Sequence, residues 1–273
     1  ASFAATREPM QIGAELYGHG GLEADIEIVG LLASTLSLCD IQTVRLDFGH
    51  AAIFNALIEP AGFAAEHTQE VFSALQSKDI PALRELLSSI AEPLRSALLA
   101  LPDLQGDQRV LGEAAHRLPA LPAITSALND LQRMAHSLGD LPIGFDLADL
   151  RSYNYHTGVV MAAYCAGSAG ALALGGRYDG LGAAYGRGRP ATGFSMDLRE
   201  IARLAPQGKQ RGGVLVPWPE NDAVHAEVKR LRGQGERVVF ALPGHEGSWR
   251  ESGCDRVLVL RANEWIVEPL KED

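Results

Sequence analysis

The sequence predicts an α+β protein in which a sheet with helices is followed by a small α/β domain. Short apolar segments bounded by glycines predict strands on both sides of residues 51–138. That central segment is rich in Ala and Leu and is interrupted by prolines, which is typical of a run of short helices. Residues 214–273 alternate strand and helix patterns, which favours a separate α/β domain with a partly parallel sheet.

The chain begins with the patterns of a strand, a helix and a second strand. Residues 10–18 are short, largely apolar and followed by glycines, which predicts a strand that ends in a turn. Residues 22–38 place apolar side chains such as Ile26 and Val29 at helical spacing, with acids near the N-terminal end where the helix dipole favours them. Residues 41–48 alternate in polarity and predict another strand.

Strand patterns return after the helical segment. They lie at 142–147, 159–166, 171–174 and 192–196, and a helix pattern follows at 197–204. Residues 157–176 are uncharged and as long as a membrane helix, but the Gly- and Ser-containing turn inside them favours two buried strands. A membrane association is therefore not expected.

The predicted domains are residues 1–204 and residues 214–273. Residues 205–213 combine Gly, Pro and Gln without apolar periodicity, and we interpret them as a linker. In the second domain, strands are predicted at 214–216, 238–240 and 257–260 and a helix at 221–231.

Composition excludes several classes of function. The 24 Lys and Arg residues against 34 Asp and Glu residues give a net charge of −10, which disfavours a protein held on nucleic acid by its overall field. Three widely spaced cysteines argue against a disulfide scaffold or a thiolate metal site and favour a reducing, cytoplasmic compartment. The histidines show no metal-ligand spacing, so neither a metal nor a cofactor is expected.

The densest chemical signal consists of two motifs, RSYNYHTG at residues 151–158 and GGRYDGL at residues 175–181. Each combines Arg and aromatic residues, and the intervening strand pair could bring them to one pocket. The glycines would let the backbone approach a ligand closely. On composition alone, a glycine-rich turn with solvated arginines explains the pattern equally well.

The two motifs resemble the histidine-specific motifs of histidyl-tRNA synthetases. Residues 9–18 are similar to the end of the second class II motif of that family, and residues 193–200 are similar to its third. All four occur in the family's order, and the resemblance covers residues 7–204. It implies a class II synthetase-like antiparallel sheet with helices and a helical insertion, which residues 51–138 would form.

The same resemblance implies a histidine pocket. Its residues would be Gln11, Glu15, Arg151, Tyr155 and Tyr178, with His156 and Arg177 as additional pocket or anion contacts. Glu15 can accept from an imidazole N–H or an ammonium group, and Arg151 can pair with a carboxylate through two hydrogen bonds. Two alternatives stay open: Glu15 could be part of a structural ion pair, and the tyrosines could be core aromatics.

Departures from the synthetase pattern favour a non-catalytic relative. Glu200 occupies the position of the third-motif Arg that binds ATP phosphates, and a close charge pair of this kind is worth about 2–5 kcal/mol. A one-residue slip would bring Arg199 to that position instead. Asn154 and His156 also replace an Asp and a Tyr of the family motif. The first motif and the other ATP-binding Arg are expected before Ala1, in an N-terminal part that the sequence lacks.

In these details the chain resembles most the synthetase-like regulatory subunits of ATP phosphoribosyltransferase, which have no catalytic residues of their own and are required for the first step of L-histidine biosynthesis. The resemblance implies the short-form catalytic subunit of ATP phosphoribosyltransferase as partner, a dimer with a second copy, and L-histidine as a feedback effector. The net charge and the short second domain argue against tRNA binding. The alternatives are an active or degenerate histidyl-tRNA synthetase and a free-standing amino-acid-binding module.

Overall fold

The chain forms two compact units, residues 1–206 and residues 207–273. The computed structural model describes residues 10–149, 155–180, 186, 188–206, 212–218 and 222–271. The division falls within the segment that the sequence predicts as a linker.

A sheet of seven described strands forms the centre of the first unit. The strands are β1 Gln11–Tyr17, β2 Thr43–His50, β3 Gln105–Gly106, β4 Ile143–Asp146, β5 Val159–Cys165, β6 Ala171–Arg177 and β7 Ala191–Asp197. Their order is β1-β7-β6-β5-β2-β4-β3, and neighbours are antiparallel except for β2 and β4. This arrangement confirms the predicted α+β class with a predominantly antiparallel sheet.

Helices cover one face of this sheet. The described helices of the unit are α1 Leu22–Leu38, α2 Ala51–Ile58, α3 Ala65–Gln76, α4 Ile80–Leu86, α5 Leu94–Ala100, α6 Arg109–Arg117, α7 Pro122–Ser137 and α8 Leu198–Leu204. Helix α1 contacts β1, β2 and β7, and α7 contacts β2. Buried side chains such as Val29, Leu32 and Phe48 join helices and sheet in one hydrophobic core. The predicted helical segment is confirmed, with the two-residue strand β3 as an addition.

Strand β6 is longer than the sequence pattern predicts. The prediction ends the strand at residue 174 because two glycines follow, whereas Gly175 and Gly176 continue the strand to Arg177. A Cβ atom on Gly175 would lie 2.9 Å from the Cα atom of Phe194 in β7. The φ angle of Gly176 is +154°, which other residues rarely adopt. The glycines therefore permit a close strand contact.

The second unit contains a sheet of four described strands and one described helix. These elements are β8 Gly213–Pro217, α9 Asp222–Gly233, β9 Val238–Ala241, β10 Cys254–Arg261 and β11 Glu264–Pro269. The order is β11-β10-β8-β9, with β8 parallel to both neighbours and β11 antiparallel to β10. Strand β11 is missing from the sequence prediction, because its short EWIVEP segment carries acids at both ends and only three apolar side chains.

No helix among the described residues combines the length and the apolar character that crossing a membrane requires. The uncharged segment at residues 157–176 contains strand β5, most of strand β6 and a turn between them. The prediction of two strands is therefore confirmed.

We expect Phe54→Ala to lower the free energy of unfolding by about 3–5 kcal/mol, because it empties a fully buried position. The Phe54 ring packs edge-on against Phe72, with ring centroids 6.2 Å apart. Urea unfolding followed by circular dichroism measures the change. Leu38→Ala is the control, since Leu38 is 88% exposed and its loss should change stability by less than about 0.5 kcal/mol. Equal effects of the two variants would contradict the described core.

Candidate functional site

A cavity of about 320 Å³ lies on the sheet face opposite α1. Ala14 and Leu16 pack against the helix-covered core, so the intervening Glu15 points to the other face. The described residues that line the cavity come from β1, β6, β7 and the segment before β5: Glu15, Tyr155, His156, Leu174, Gly175, Gly176, Tyr178, Gly193, Phe194 and Ser195. Four of the predicted site residues therefore meet in one cavity: Glu15, Tyr155, His156 and Tyr178.

The central contact of the cavity joins Tyr178 to Glu15. The Tyr178 hydroxyl donates a hydrogen bond to the Glu15 carboxylate, although the two residues are far apart in sequence. Tyr178 is only 4% exposed, and its burial together with the neighbouring Glu15 raises the pKa of its phenol. The hydroxyl therefore keeps its proton and remains a donor at neutral pH.

Gly193 gives the Glu15 carboxylate its space. Glu15 lies directly opposite Gly193 in the register of β1 and β7. A Cβ atom on Gly193 would overlap the Glu15 carboxylate. Any other residue at this position would displace the acid from the cavity.

Two aromatic side chains form the wall next to Tyr178. The Tyr155 ring stacks on the Tyr178 ring with centroids 4.7 Å apart and an interplanar angle of 27°. His156 meets Tyr155 edge-on at 5.2 Å. Its ring lies so close to β6 that a Cβ atom on Gly176 would be 2.8 Å from the Cδ2 atom. Burial, reinforced by Glu15, raises the pKa of the Tyr155 phenol, so this ring is also neutral.

Of the other two predicted histidine contacts, the structure describes only Gln11. Gln11 is exposed and lies on the same face of β1 as Glu15, but about 13 Å along the strand by the usual rise per residue. It pairs in register with Asp197 and is not among the described residues that line the cavity. Arg151 lies outside the described residues.

Arg177 does not have the ligand-facing position that the sequence suggests. Its guanidinium is buried and donates to the Asp25 carboxylate at 2.8 and 3.0 Å. It also donates to the carbonyl oxygens of Gly21 at 2.8 Å and His19 at 3.2 Å. Burial raises the pKa of Asp25, and Arg177 opposes that shift. The expected anion contact is therefore replaced by an internal ion pair beneath the β1–α1 turn.

Comparisons with known proteins identify the family. Residues 1–201 match the family model described as histidyl-tRNA synthetase, and residues 211–268 match the one described as ATP phosphoribosyltransferase subunit HisZ C-terminal domain. A relative from Azoarcus sp. (strain BH72), an ATP phosphoribosyltransferase regulatory subunit, is 54% identical over 271 residues, which cover 99% of this chain and 71% of the relative. The chain belongs to the ATP phosphoribosyltransferase regulatory subunits.

Solved structures agree with this regulatory-subunit family. An ATP phosphoribosyltransferase regulatory subunit/histidyl-tRNA synthetase from Bacillus halodurans is 25% identical with a TM-score of 0.75, and the match covers 89% of this chain and 65% of that chain. An ATP phosphoribosyltransferase HisG:HisZ complex from Thermotoga maritima is similar in fold, with 17% identity and a TM-score of 0.54 over 70% of this chain and 66% of that chain.

Tyr17 is a neighbour of the Tyr178 hydroxyl that the sequence analysis does not indicate, although it is not among the described residues that line the cavity. Tyr17 lies two residues after Glu15, on the same face of β1, and its hydroxyl is close enough to Tyr178 to contribute to the raised pKa of that phenol. The two-residue period of the strand could have indicated it. Gly193 and Ser195 of β7 also line the cavity, and the pattern of the sequence does not indicate that role.

Within the part of the chain that the structure describes, no group of three or more His, Cys, Asp or Glu side chains is placed to hold a metal ion.

The side chains that line the cavity of this regulatory subunit include one carboxylate, two stacked tyrosines and a histidine. Such a set favours a small ligand with N–H donors and a flat ring.

A buried histidine lies near the Arg177 ion pair. His50 caps the N-terminus of α2, and its Nδ1 atom accepts from the backbone N–H of Ala52 at 3.3 Å. Burial and the charge of Arg177 lower the pKa of His50 to about 4. The folded state therefore holds this imidazole neutral.

We expect stability to fall with acidification between about pH 6.5 and pH 4, because the unfolded state then binds a proton that folded His50 refuses. The loss should approach about 1.4 kcal/mol per pH unit in this interval. His50→Asn keeps a capping side chain but does not titrate, so it should flatten this part of the profile. Unfolding free energies across the interval measure the effect, and identical slopes in both proteins would disprove it.

Proposed function

We propose that this chain acts as the non-catalytic regulatory subunit of ATP phosphoribosyltransferase in the first step of L-histidine biosynthesis. The observation that carries the proposal is the 54% identity to a regulatory subunit along nearly the whole chain. The match of residues 211–268 to the HisZ C-terminal domain favours this function over that of a histidyl-tRNA synthetase, whose family model matches residues 1–201.

The surroundings of Glu200 support the loss of synthetase chemistry. Glu200 lies in the first turn of α8, directly after β7, where the resemblance places a phosphate-binding Arg in synthetases. Its carboxylate pairs with Arg203 at 2.6 Å, and this partner lowers the pKa of Glu200. Asp197 accepts from the backbone N–H groups of Arg199 and Glu200. A triphosphate at the start of this helix would therefore meet two carboxylates, one of them paired with Arg203, where the synthetase pattern has an Arg.

The cavity supports L-histidine as the effector. Its volume of about 320 Å³ suits a single amino acid, and Glu15 can accept from an imidazole N–H or an ammonium group. The stacked Tyr155 and Tyr178 offer a flat apolar wall to an aromatic ring. By resemblance, Arg151 would pair with the carboxylate and Gln11 would supplement the polar contacts.

We propose the short-form ATP phosphoribosyltransferase catalytic subunit as the partner, together with a second copy of this chain. The fold similarity to a protein solved as a HisG:HisZ complex supports a hetero-oligomer. The net charge of −10 supports the absence of tRNA binding, because phosphates require a surplus of Lys and Arg. Cys39, Cys165 and Cys254 are free thiols, which supports a reducing, cytoplasmic compartment.

We expect the intact protein to raise the rate at which a short-form catalytic subunit forms phosphoribosyl-ATP, and to co-elute with it in size-exclusion chromatography with light scattering. It should not support histidine-dependent exchange between ATP and pyrophosphate. Robust exchange would favour the synthetase alternative. An unchanged transfer rate would contradict the regulatory proposal and favour a free-standing binding module.

We expect Glu15→Gln to weaken L-histidine binding by about 1.5–3 kcal/mol, because a charged acceptor is replaced by a neutral one. Isothermal titration calorimetry measures the affinity. Glu66→Gln is the matched control, since Glu66 is an exposed residue of α3 that makes the same change in net charge. Equal affinities of the two variants would mean that histidine does not bind at Glu15.

A further inference from the structure

The buried ion pair between Arg177 and Asp25 joins three segments of the first unit. Arg177 is the last residue of β6, Asp25 lies in the first turns of α1, and His19 and Gly21 belong to the turn between β1 and α1. Arg177 reaches the two carbonyl oxygens of that turn and the carboxylate of α1 with the same guanidinium. One side chain therefore fixes the end of β6 against the end of β1.

These two strand ends carry the two partners of the central pocket contact. Glu15 lies two residues before the end of β1, and Tyr178 directly follows Arg177. The backbone on either side of Arg177 is also held, because Thr157 donates to the Arg177 carbonyl and Tyr178 donates to Ala191, both at 2.8 Å. Tyr178 and Glu15 therefore both lie close in sequence to a group that the Arg177 side chain or backbone contacts.

The contact between Arg177 and Asp25 depends on the charges of both side chains. The side chain of Asp25 is 1% exposed and that of Arg177 is 8% exposed, so neither charge has water as an alternative partner. One oxygen of Asp25 has no hydrogen-bond partner within the described structure, which leaves Arg177 as the main compensation for the buried carboxylate. Loss of Arg177 would leave the Asp25 carboxylate buried and uncompensated, whereas loss of the Asp25 charge would leave Arg177 with Asp179 at 3.3 Å as its remaining carboxylate partner. Either change would weaken the contact that Arg177 makes with α1.

We propose that Asp25 and Arg177 are positioning residues that hold Tyr178 against Glu15 and thereby set the affinity of the pocket for its ligand. Neither residue touches the cavity. The identity of the ligand rests on the proposed function, whereas the Tyr178–Glu15 geometry does not.

Asp25→Asn tests the proposal in the ligand-free protein, because it removes the charge at nearly constant size. The readout is the Cζ resonance of Tyr178 in protein labelled with ¹³C-tyrosine, assigned by its loss in Tyr178→Phe. Glu15→Ala provides the resonance position without the hydrogen bond. We expect Asp25→Asn to move the resonance towards that position. Arg177→Lys, which keeps the charge but not the fork of donors, should do the same and serves if Asp25→Asn does not fold.

Asp146→Asn is the matched control. Asp146 is a partly buried carboxylate of the same sheet that pairs with Lys78 at 2.9 Å, away from the strand ends that Arg177 joins. It should destabilise the fold without moving the Tyr178 resonance. A Tyr178 resonance that stays at the wild-type position in folded Asp25→Asn or Arg177→Lys would overturn the proposal.

Calorimetry with L-histidine provides the second measurement. We expect the dissociation constant to rise about tenfold or more in Asp25→Asn and Arg177→Lys, as for a lost hydrogen bond to a charged group, and to stay within about twofold in Asp146→Asn. If the wild-type protein binds no histidine, the effector assignment is wrong, and the Tyr178 resonance alone decides the positioning role. A moved resonance with unchanged histidine affinity would overturn the link to affinity.

Discussion

The pocket depends on one constraint: a hydrogen-bonded sheet must keep part of one face free of side chains. Neighbouring strands lie about 4.8 Å apart, so ordinary side chains on adjacent strands would fill the face. Here Gly193 and Gly176 lie next to each other in the register of β7 and β6, and each leaves the space that a pocket side chain occupies. The opposite face stays fully packed, with Phe194 and Met196 in the core. Cavity and core are therefore two sides of the same strands.

The electrostatics of the site follow from where the charges are placed. Arg177, the cation of the GGRYDGL motif, forms a buried ion pair with Asp25 next to the β1–α1 turn. The charged group in the described wall of the cavity is the carboxylate of Glu15. The neutral Tyr178 hydroxyl donates a hydrogen bond to it and so fixes its orientation. An acidic wall with aromatic neighbours suits the proposed ligand, whose imidazole and ammonium groups carry N–H donors. The same wall is a poor environment for a phosphate.

Helices and strands with a regular pattern of apolar residues could be predicted from the sequence, whereas contacts between neighbouring strands could not. Helix α1 has the predicted position because its buried face repeats along the chain, and strand β1 because a short apolar run ends at glycines. The sequence pattern predicts too short a strand β6 because Gly175 and Gly176 also suit a turn, and only the neighbouring strand shows that they permit a close approach. The sequence does not indicate the ion pair of Arg177 either, because its partner Asp25 lies 152 positions away in the chain.

The proposed amino-acid pocket and the third-motif position lie on different elements of the first unit. In the synthetase pattern the third-motif cation belongs to the helix that follows β7, which is α8 in this chain, whereas the Glu15–Tyr178 contact joins β1 to the end of β6. Glu200 pairs with Arg203 and touches neither partner of that contact, so a carboxylate at this position is compatible with the proposed pocket. Regulation further requires that ligand affinity differ between two states of a complex. Through Arg177 the pocket is linked to the β1–α1 turn, and α1 is linked to α7 by the exposed ion pair of Glu23 with Arg133.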